Sequence, residues 1–326
     1  MKLAEEALRT FYEERPVLVL SESRVLGRAL AQRLEGLGSE VLRTTRDRQR
    51  VGAYREGHGR YHGVVYADLA EPEGRRCYPD IWPFEWPAAV RDGKPAVIFV
   101  LTEGAGEARE RVEAGAAALL RRLVQNLGPL TTVVHASTLD VYGDAEPAWA
   151  EDGPVKPQTA RGRHKLAMEG VIDALGLSGT VHLRYGGIIG PGEDRTTKPV
   201  AGVAYLGIQG GGLYWLRSTG SQLRYYMSSE AAALAALIAG VVAARGEYRG
   251  AINVVGACHE VLHVCGLAAE AVRPWGRVLI GTGSEVEPSH MASTKLMECL
   301  IGDLGDRPLE DTIRRYAHWV AIHSGA

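Results

Sequence analysis

The chain lacks several features that mark secreted, membrane-bound or nucleic-acid-binding proteins. Its 326 residues include only 4 cysteines, too few and too scattered for a disulfide framework, which predicts reduced thiols and a cytoplasmic location. The acidic first residues do not resemble a signal peptide, and no apolar run reaches the roughly 18 residues that span a bilayer. A net charge of −2 gives no electrostatic basis for binding nucleic acid or an anionic membrane. We therefore expect neither nucleic acid nor a membrane as a partner.

What the chain does contain is a regular alternation of short apolar runs and helical patterns. Continuous apolar runs predict buried parallel strands, and the 3.6-residue periodicity between them predicts helices that cover the sheet. The predicted strands are residues 17–20, 40–42, 62–66, 96–101, 131–136 and 181–184. The fold class is therefore predicted as α/β, a Rossmann-like doubly wound parallel sheet with ligands at the carboxyl ends of the strands.

The pattern changes after residue 184. GGIIGPGEDR is rich in turn residues, and LGIQGGGLYWL predicts a flexible loop because of its glycines. A helix over 229–244 and a strand over 251–255 follow. We predict a Rossmann-like domain over 1–184 and a smaller, mainly substrate-binding lobe over 185–326, with some segments of the lobe returning to the sheet.

Residues 135–169 carry the strongest motif, HASTLDVYGD followed by RGRHKLAME. The segment resembles the active-site strand and helix of the extended short-chain dehydrogenase/reductases, the nucleotide-sugar epimerase and dehydratase group. That resemblance implies a Ser/Thr after the strand, matched by Thr138, and a Tyr-x-x-x-Lys helix whose lysine is matched by Lys165. Arg161 occupies the tyrosine position, and a guanidinium that stays protonated cannot exchange the proton that a phenol exchanges. The chain thus resembles an atypical branch that lacks the catalytic tyrosine.

The resemblance also implies the other candidates for acid–base chemistry. Asp140 matches the glutamate of the dehydratases, so it is either a general acid or base or a turn residue. Tyr142 is more often structural in this motif, and the alternative is a substitute acid, since it is the only phenol nearby in sequence. Together with Thr138 and Lys165, these residues form the predicted catalytic set.

Three further side chains are candidates for substrate binding. Arg161 either holds an anionic substrate group bidentately or joins a surface ladder of ion pairs along its helix. Tyr205 and Tyr214 border the predicted substrate cleft in the C-terminal lobe, with core packing as the alternative.

The dinucleotide loop of the resembled family, Gly-x-x-Gly-x-x-Gly, is reduced here to its last glycine, Gly27. Ser21 and Arg24 replace the first two glycines. Their side chains leave less space for a pyrophosphate to reach the backbone N–H groups. Arg24 could contact a phosphate or fill the phosphate site itself.

Two other segments match cofactor positions of the family. Arg46 lies where an acidic residue binds the ribose of NAD, and an arginine there suits the 2′-phosphate of NADP. Asp68 and Leu69 match the pair that contacts adenine. For both segments the alternative is an ordinary polar strand end. With two glycines and the tyrosine lost, we expect either no cofactor or weakly bound NADP.

A tempting metal motif, His259-Glu-Val-Leu-His263, fits the spacing of zinc proteases. Both imidazoles must then lie on one helix, whereas the preceding Asn-Val-Val-Gly predicts a strand end and a turn here. We therefore predict a structural role for the segment and no metal site.

Three functions follow from these features. The favoured one is a non-redox or cofactor-free lyase, dehydratase or isomerase that acts on a small polar or anionic substrate through Thr138, Asp140 and Lys165. The alternative is an NADP-dependent oxidoreductase or epimerase of the atypical branch. The third is a non-catalytic protein that binds a ligand or a partner. A homodimer is the default assembly in the resembled family.

Overall fold

A computed structural model describes residues 5–20, 25–45, 52–55, 61–66, 95–102, 109–143, 149–192, 199–287, 289 and 291–323. Eight strands form its large sheet. From one edge to the other they are β11 (Gly250–Val254), β7 (Gly179–Tyr185), β6 (Thr132–Thr138), β5 (Val97–Val100), β1 (Val17–Leu20), β2 (Val41–Thr45), β4 (Tyr61–Tyr66) and β3 (Gly52–Arg55).

Every neighbouring pair in this sheet is parallel except β3 with β4. The six predicted strands are all present and mutually parallel, which confirms the Rossmann-like fold. The antiparallel edge strand β3 was not predicted, because four residues that begin with glycine carry no strand signal. The chain winds outward from β1 to β2 and β4, then crosses to β5 on the other side of β1. The sheet therefore has a topological switch point between β1 and β5, where ligands of such folds bind.

Helices cover both faces of the sheet. The helices of the described residues, including those of the C-terminal part, are α1 (Glu5–Glu13), α2 (Val25–Gly36), α3 (Arg109–Leu127), α4 (Ala160–Asp173), α5 (Pro199–Ile208), α6 (Ser229–Ala244), α7 (Val261–Ala271), α8 (Lys295–Leu300) and α9 (Leu309–His323). Successive side chains of a strand point to opposite faces of the sheet. On β5, Val97 and Phe99 therefore pack in the core formed with α1, α2 and α6. Ile98 and Val100 pack in the core formed with α3 and α4. Both faces are buried, which is why the central strands β1 and β5 are apolar without interruption.

The helix α6 returns from the C-terminal half to pack on the large sheet. It is apolar around most of its circumference and buried between β6, β7, α1 and α2. The side chain of Tyr12 on α1 is fully buried, and its hydroxyl donates a hydrogen bond to the Leu237 carbonyl of α6 at 2.7 Å. Helices from both halves of the chain thereby cover this face of the sheet.

Two smaller sheets make up the rest of the C-terminal part. One joins β8 (Gly187–Ile189), β10 (Leu223–Ser228) and β12 (Ala257–Glu260), and the other pairs β9 (Gly211–Ser218) with β13 (Arg277–Glu285) in parallel. Their core lies against α5, α7 and α9. The chain leaves the large sheet at Tyr185 and returns to it at Gly250. The domain boundary at residue 184 stays a prediction.

The flexible loop predicted over LGIQGGGLYWL is wrong. The segment is the end of α5, a tight turn and the strand β9. Its glycines are needed for the turn, since φ is +105° at Gly210 and +95° at Gly211. A Cβ on Gly211 would also lie 2.3 Å from the Arg277 carbonyl oxygen of β13. The glycines therefore allow close strand pairing rather than flexibility.

The His-Glu-x-x-His segment spans the junction of a strand and a helix. His259 lies on β12 and His263 in the first turn of α7, with their rings stacked at a centroid distance of 5.4 Å. Among the residues that the structure describes, no three His, Cys, Asp or Glu side chains are grouped to hold a metal ion. None of the helices in the described ranges has both the length and the apolarity that a bilayer crossing requires.

Replacing Tyr12 with Phe should lower the free energy of unfolding by about 1 kcal/mol, because a buried hydrogen bond to α6 is lost. Thr10→Ala, an exposed change on the same helix, is the control and should leave stability nearly unchanged. Urea unfolding of both variants measures the difference. Equal stability of the two would show that α1 does not stabilise the fold through this contact.

Candidate active site

The end of β6 presents Thr138 and Asp140 at the carboxyl edge of the sheet. Thr138 has an extended backbone, and its hydroxyl accepts a hydrogen bond from the Asp140 backbone N–H at 3.3 Å, which starts a short 3₁₀ turn. This cap fixes the direction in which the chain leaves the strand. The carboxylate of Asp140 consequently borders a cleft, whereas the neighbouring Leu139 and Val141 are buried.

The first turn of α4 is pressed against this 3₁₀ turn. The helix begins after Thr159, whose hydroxyl accepts a hydrogen bond from the Gly162 N–H at 2.9 Å. A Cβ on Gly162 would lie 2.4 Å from the Asp140 carbonyl oxygen, so only glycine fits there. The close approach brings the neighbouring Arg161 directly over the end of β6.

Arg161 joins Thr138 and Asp140 into one polar unit. Its Nη1 donates to Thr138 Oγ1 at 2.9 Å and lies 3.3 Å from Asp140 Oδ2. The side chains of Arg161 and Asp140 are 31% and 25% exposed, so this is a partly solvated ion pair at the wall of a cleft. We refer to these three residues as the Thr-Asp-Arg unit.

Lys165 lies one helical turn further on and is almost completely buried. Its Nζ donates to the Thr102 carbonyl oxygen, just after β5, at 2.5 Å. Thr138 and Lys165 thus both lie at the carboxyl edge of the sheet, near the switch point. The side chain that donates a hydrogen bond to Thr138 is that of Arg161 rather than that of Lys165.

A buried ion pair supports α4 from below. Arg184 on β7 binds Glu169 on α4 through two hydrogen bonds of 2.8 and 3.2 Å, and Ser137 on β6 donates to the same carboxylate at 2.5 Å. Burial by itself lowers the pKa of Arg184, but the hydrogen bonds and charge of Glu169 outweigh it and raise the pKa above its usual value. The guanidinium of Arg184 therefore stays charged inside the protein, and its bonds to Glu169 fix α4 on the strands.

Two of the predicted site residues lie elsewhere. Tyr142 is fully buried, donates to Asn253 Oδ1 at 2.7 Å and accepts from Arg184 Nη1 at 2.9 Å. Burial raises its pKa even though the charge of Arg184 acts in the other direction, so we drop Tyr142 from the candidate acids. Tyr205 packs against the core of the C-terminal lobe and does not line the cleft.

The cleft itself has a volume of about 850 Å³ and lies between the Thr-Asp-Arg unit and the C-terminal sheets. Tyr214 on β9 lines it as predicted for a border residue, beside Trp215, whose side chain is exposed. Burial raises the pKa of the Tyr214 phenol, which keeps it neutral. Aromatic and charged side chains therefore both line the cleft.

Sequence reasoning missed two arginines of this cleft, Arg217 on β9 and Arg224 on β10. Arg224 Nη2 binds Glu287 at 3.2 Å, and Gln222 donates to the same carboxylate at 3.1 Å. Burial lowers the pKa of Arg224, an effect that the charge of Glu287 opposes. For Arg224, the sequence offered one signal, a charged residue next to the apolar run of β10. With Arg161, three guanidinium groups border the cleft.

Most of the predicted cofactor positions, Arg24, Arg46, Asp68 and Leu69, lie outside the described residues. Gly27 is buried on α2, the helix that follows β1 at the switch point. A Cβ on Gly192 would lie 2.7–2.9 Å from atoms of Val25, so the chain after β8 approaches the first residue of α2 closely. Val25 also lines the cleft, so the first residue of α2 lies at the cleft, at the edge of the sheet where this fold binds dinucleotides.

Comparison with known proteins confirms the resemblance. The model of the "NAD dependent epimerase/dehydratase family" matches residues 17–254. No curated protein matches the chain. Among solved structures, the epimerase Mth375 of Methanothermobacter thermautotrophicus has a TM-score of 0.77 at 18% identity, covering 98% of this chain and 96% of that one.

Two similar structures contain NAD. MoeE5 in complex with UDP-glucose and NAD has a TM-score of 0.74 at 20% identity, covering 95% of this chain and all (100%) of that one. UDP-glucose 4-epimerase of Thermus thermophilus in complex with NAD has a TM-score of 0.70 at 22% identity, covering 95% and 100%. The expectation of no cofactor, or of weakly bound NADP, was wrong, since structures of this fold hold NAD.

Replacing Glu169 with Ala should lower the free energy of unfolding by about 3 kcal/mol or more, because the buried charge of Arg184 loses its partner. The control is Glu270→Ala, which removes an exposed pair with Arg273 and should cost less than about 1 kcal/mol. Chemical denaturation followed by circular dichroism measures both. Similar small losses in the two variants would contradict a structural role for the buried pair.

Proposed function

Because the chain belongs to the NAD dependent epimerase/dehydratase family, we propose that it is an NAD-binding enzyme that epimerises or dehydrates a nucleotide-activated sugar. The observation that carries this proposal is the Thr-Asp-Arg unit, set at the wall of a large cleft that three arginines border. The proposal gives up our preference for a cofactor-free reaction and keeps the acid–base residues.

Asp140 is the proposed acid or base. The Arg161 guanidinium cannot take up a proton, so it cannot perform the proton transfer of a catalytic tyrosine. It can orient the carboxylate of Asp140, which it contacts at 3.3 Å, toward a substrate in the cleft. The hydroxyl of Thr138 would bind the substrate oxygen whose proton is exchanged. The acid–base role that the family gives to a tyrosine on the helix is thereby assigned to Asp140 at the end of β6.

Lys165 and the start of α2 are the proposed contacts of NAD. In the resembled family this lysine holds the ribose of the nicotinamide, and here its ammonium group is fixed near the end of β5. The N-terminus of α2 would face the pyrophosphate. When bound, NAD supplies the acceptor and donor of a hydride.

A nucleotide sugar fits the charges and shape of the cleft. Arg161, Arg217 and Arg224 bring three guanidinium groups to it, which suits a diphosphate. Tyr214 and Trp215 add aromatic surface for a sugar or a base. MoeE5, whose fold is similar, has been solved with UDP-glucose and with UDP-glucuronic acid.

The compartment and assembly belong to the proposal as well. Cys258, Cys265 and Cys299 are free thiols, as expected in the cytoplasm. We keep a homodimer as the proposed assembly, following the resembled family.

NAD should stabilise the protein, by about 2.7 kcal/mol at a concentration of a hundred times its Kd. Thermal unfolding with NAD, NADH, NADP and ADP measures this and ranks the dinucleotides. Lys165→Ala should weaken NAD binding about tenfold through the loss of a charged hydrogen-bond donor, whereas the exposed Lys295→Ala should not. A protein that none of the dinucleotides stabilises would contradict the proposed cofactor.

Asp140→Asn should reduce turnover by about a hundredfold or more, because the amide cannot exchange a proton. Asp152→Asn, at an exposed position, is the matched control and should retain activity. The assay incubates each variant with NAD and a panel of UDP-, dTDP- and GDP-sugars and identifies the products by NMR. Retention of full activity in Asp140→Asn, with melting temperature unchanged, would rule out its acid–base role.

A further inference from the structure

A second cavity lies between α7, α9 and the start of α6, and we refer to it as the α9 cavity. Its volume of about 690 Å³ lies within the range of about 300–1,000 Å³ that is typical of small-molecule sites. The α9 cavity adjoins the cleft described above, because Ile189, Gly190 and Tyr316 line both. All of its other lining residues are absent from the cleft. The proposed function assigns no role to it.

Close contacts fix the walls of the α9 cavity. Asp306, just ahead of α9, accepts hydrogen bonds from the Ser228 hydroxyl at 2.6 Å and from the Ser228 backbone N–H at 3.0 Å. These bonds fasten α9 to the start of α6. At the turn after α7, a Cβ on Gly276 would lie 2.4 Å from the Gly207 carbonyl oxygen of α5. The turn that carries Trp275 is thereby held against α5.

Guanidinium groups supply the positive charge of the α9 cavity. Arg314 and Arg315 on α9 line it together with Arg307, which lies just ahead of that helix. Arg314 pairs with Asp311 at 2.9 Å. Among the residues that the structure describes, no carboxylate forms an ion pair with Arg307 or Arg315.

Two glutamates line the α9 cavity as well, and each has a partner of its own. Glu270 pairs with Arg273 at 3.1 Å, and Glu230 accepts a hydrogen bond from the Ser229 hydroxyl at 3.2 Å. The positive charges of Arg307 and Arg315 are therefore available to an anion.

Two tryptophans supply aromatic surface. The ring of Trp319 is stacked with that of His323 at a centroid distance of 4.7 Å, and the Arg28 guanidinium lies 5.8 Å from its centroid. The ring of Trp275 is tilted against that of His318 at 6.4 Å, and Trp275 is 40% exposed. Trp319 is thus already packed within the protein, whereas Trp275 has surface left for an aromatic ligand.

A buried hydroxyl group lies beside the arginines. Thr312 lines the α9 cavity and is 7% exposed, and its Oγ1 forms no hydrogen bond with any described residue. A buried hydroxyl without a partner costs free energy, so native structures usually provide one. A ligand oxygen, or a water molecule that the ligand holds, would be such a partner.

We propose that the α9 cavity binds a small aromatic compound that carries a phosphate group. A guanidinium binds the oxygens of a phosphate bidentately, so Arg307 and Arg315 would hold that group. Two guanidinium groups match the charge of a phosphate monoester, which is close to −2 at neutral pH. The indole of Trp275 would stack on the aromatic ring. A mononucleotide and a phenolic phosphate ester share this chemistry.

The first test uses the protein without substrate or NAD, labelled with 5-fluorotryptophan, so it is independent of the proposed reaction. Fluorine NMR resolves the 6 tryptophans, and Trp275→Phe and Trp215→Phe assign the two signals of interest. Phenyl phosphate should shift the Trp275 signal until it saturates. The Trp215 signal reports on the cleft and should not change at those concentrations. A Trp275 signal that does not respond, or that moves only together with that of Trp215, would overturn the proposal.

Parallel titrations separate the two parts of the ligand. Inorganic phosphate and phenol should each bind at least about tenfold more weakly than phenyl phosphate, because each makes only one of the two contacts. Equal affinity for phenol and phenyl phosphate would overturn the anion site. AMP and UMP distinguish the sources: tighter binding than phenyl phosphate would identify a mononucleotide, and weaker binding a simpler aromatic phosphate.

The second test measures phenyl phosphate binding to variants of the α9 cavity. Arg307→Ala and Arg315→Ala should each weaken it about tenfold, since each removes a charged hydrogen-bond donor. Thr312→Val should weaken it as well, without lowering the melting temperature. The matched control is Arg245→Ala, since Arg245 is an exposed arginine at the other end of α6 that pairs with Glu247. Affinities equal to that of the control in both arginine variants, with the fold intact, would show that the cavity does not hold the phosphate.

Discussion

The buried ion pair between Arg184 and Glu169 is the contact on which the candidate site depends. It fastens α4 to β7, and Ser137 extends it to β6. Two ions removed from water are tolerated only when their hydrogen bonds are satisfied, and here both groups bind through two or more atoms. The geometry of α4 above the strand ends, and hence the position of Arg161, follows from this pairing.

The contact between α4 and the end of β6 sets the chemistry that the cleft can perform. Gly162 lets the helix touch the turn after Thr138, and this proximity allows one guanidinium to reach both a hydroxyl and a carboxylate. A tyrosine in place of Arg161 would bring its own exchangeable proton. An arginine brings a fixed charge and leaves proton exchange to its neighbours. In the proposed function, the substitution therefore changes which residue exchanges the proton and leaves the location of the site unchanged.

The C-terminal lobe contributes charged side chains to the cleft, and the strands of the large sheet fix the direction of the polar side chains below it. Arg217 and Arg224 come from strands that belong to different small sheets, and Glu287 holds Arg224 in place. Below the cleft, polar side chains alternate along β6 and β7 on the face that α4 covers. Ser137 and Arg184 make the upper pair, and His135 and His182 the lower one. One helix thus covers both an ion pair and a histidine pair.

The sequence by itself determined the fold class, the six parallel strands and helix α6, because each depends on local periodicity in apolar residues. It also predicted Thr138, Asp140 and Arg161 as candidate site residues, because the two segments that contain them resemble a family motif that is local in sequence. It could not assign Tyr142, Arg224 or the histidine pair. Their roles depend on partners that are 42 to 111 residues away in the chain for Tyr142, 63 for Arg224 and 47 for the histidines. Only the tertiary structure brings such groups together, because strand register and lobe packing decide which buried polar atoms find a partner.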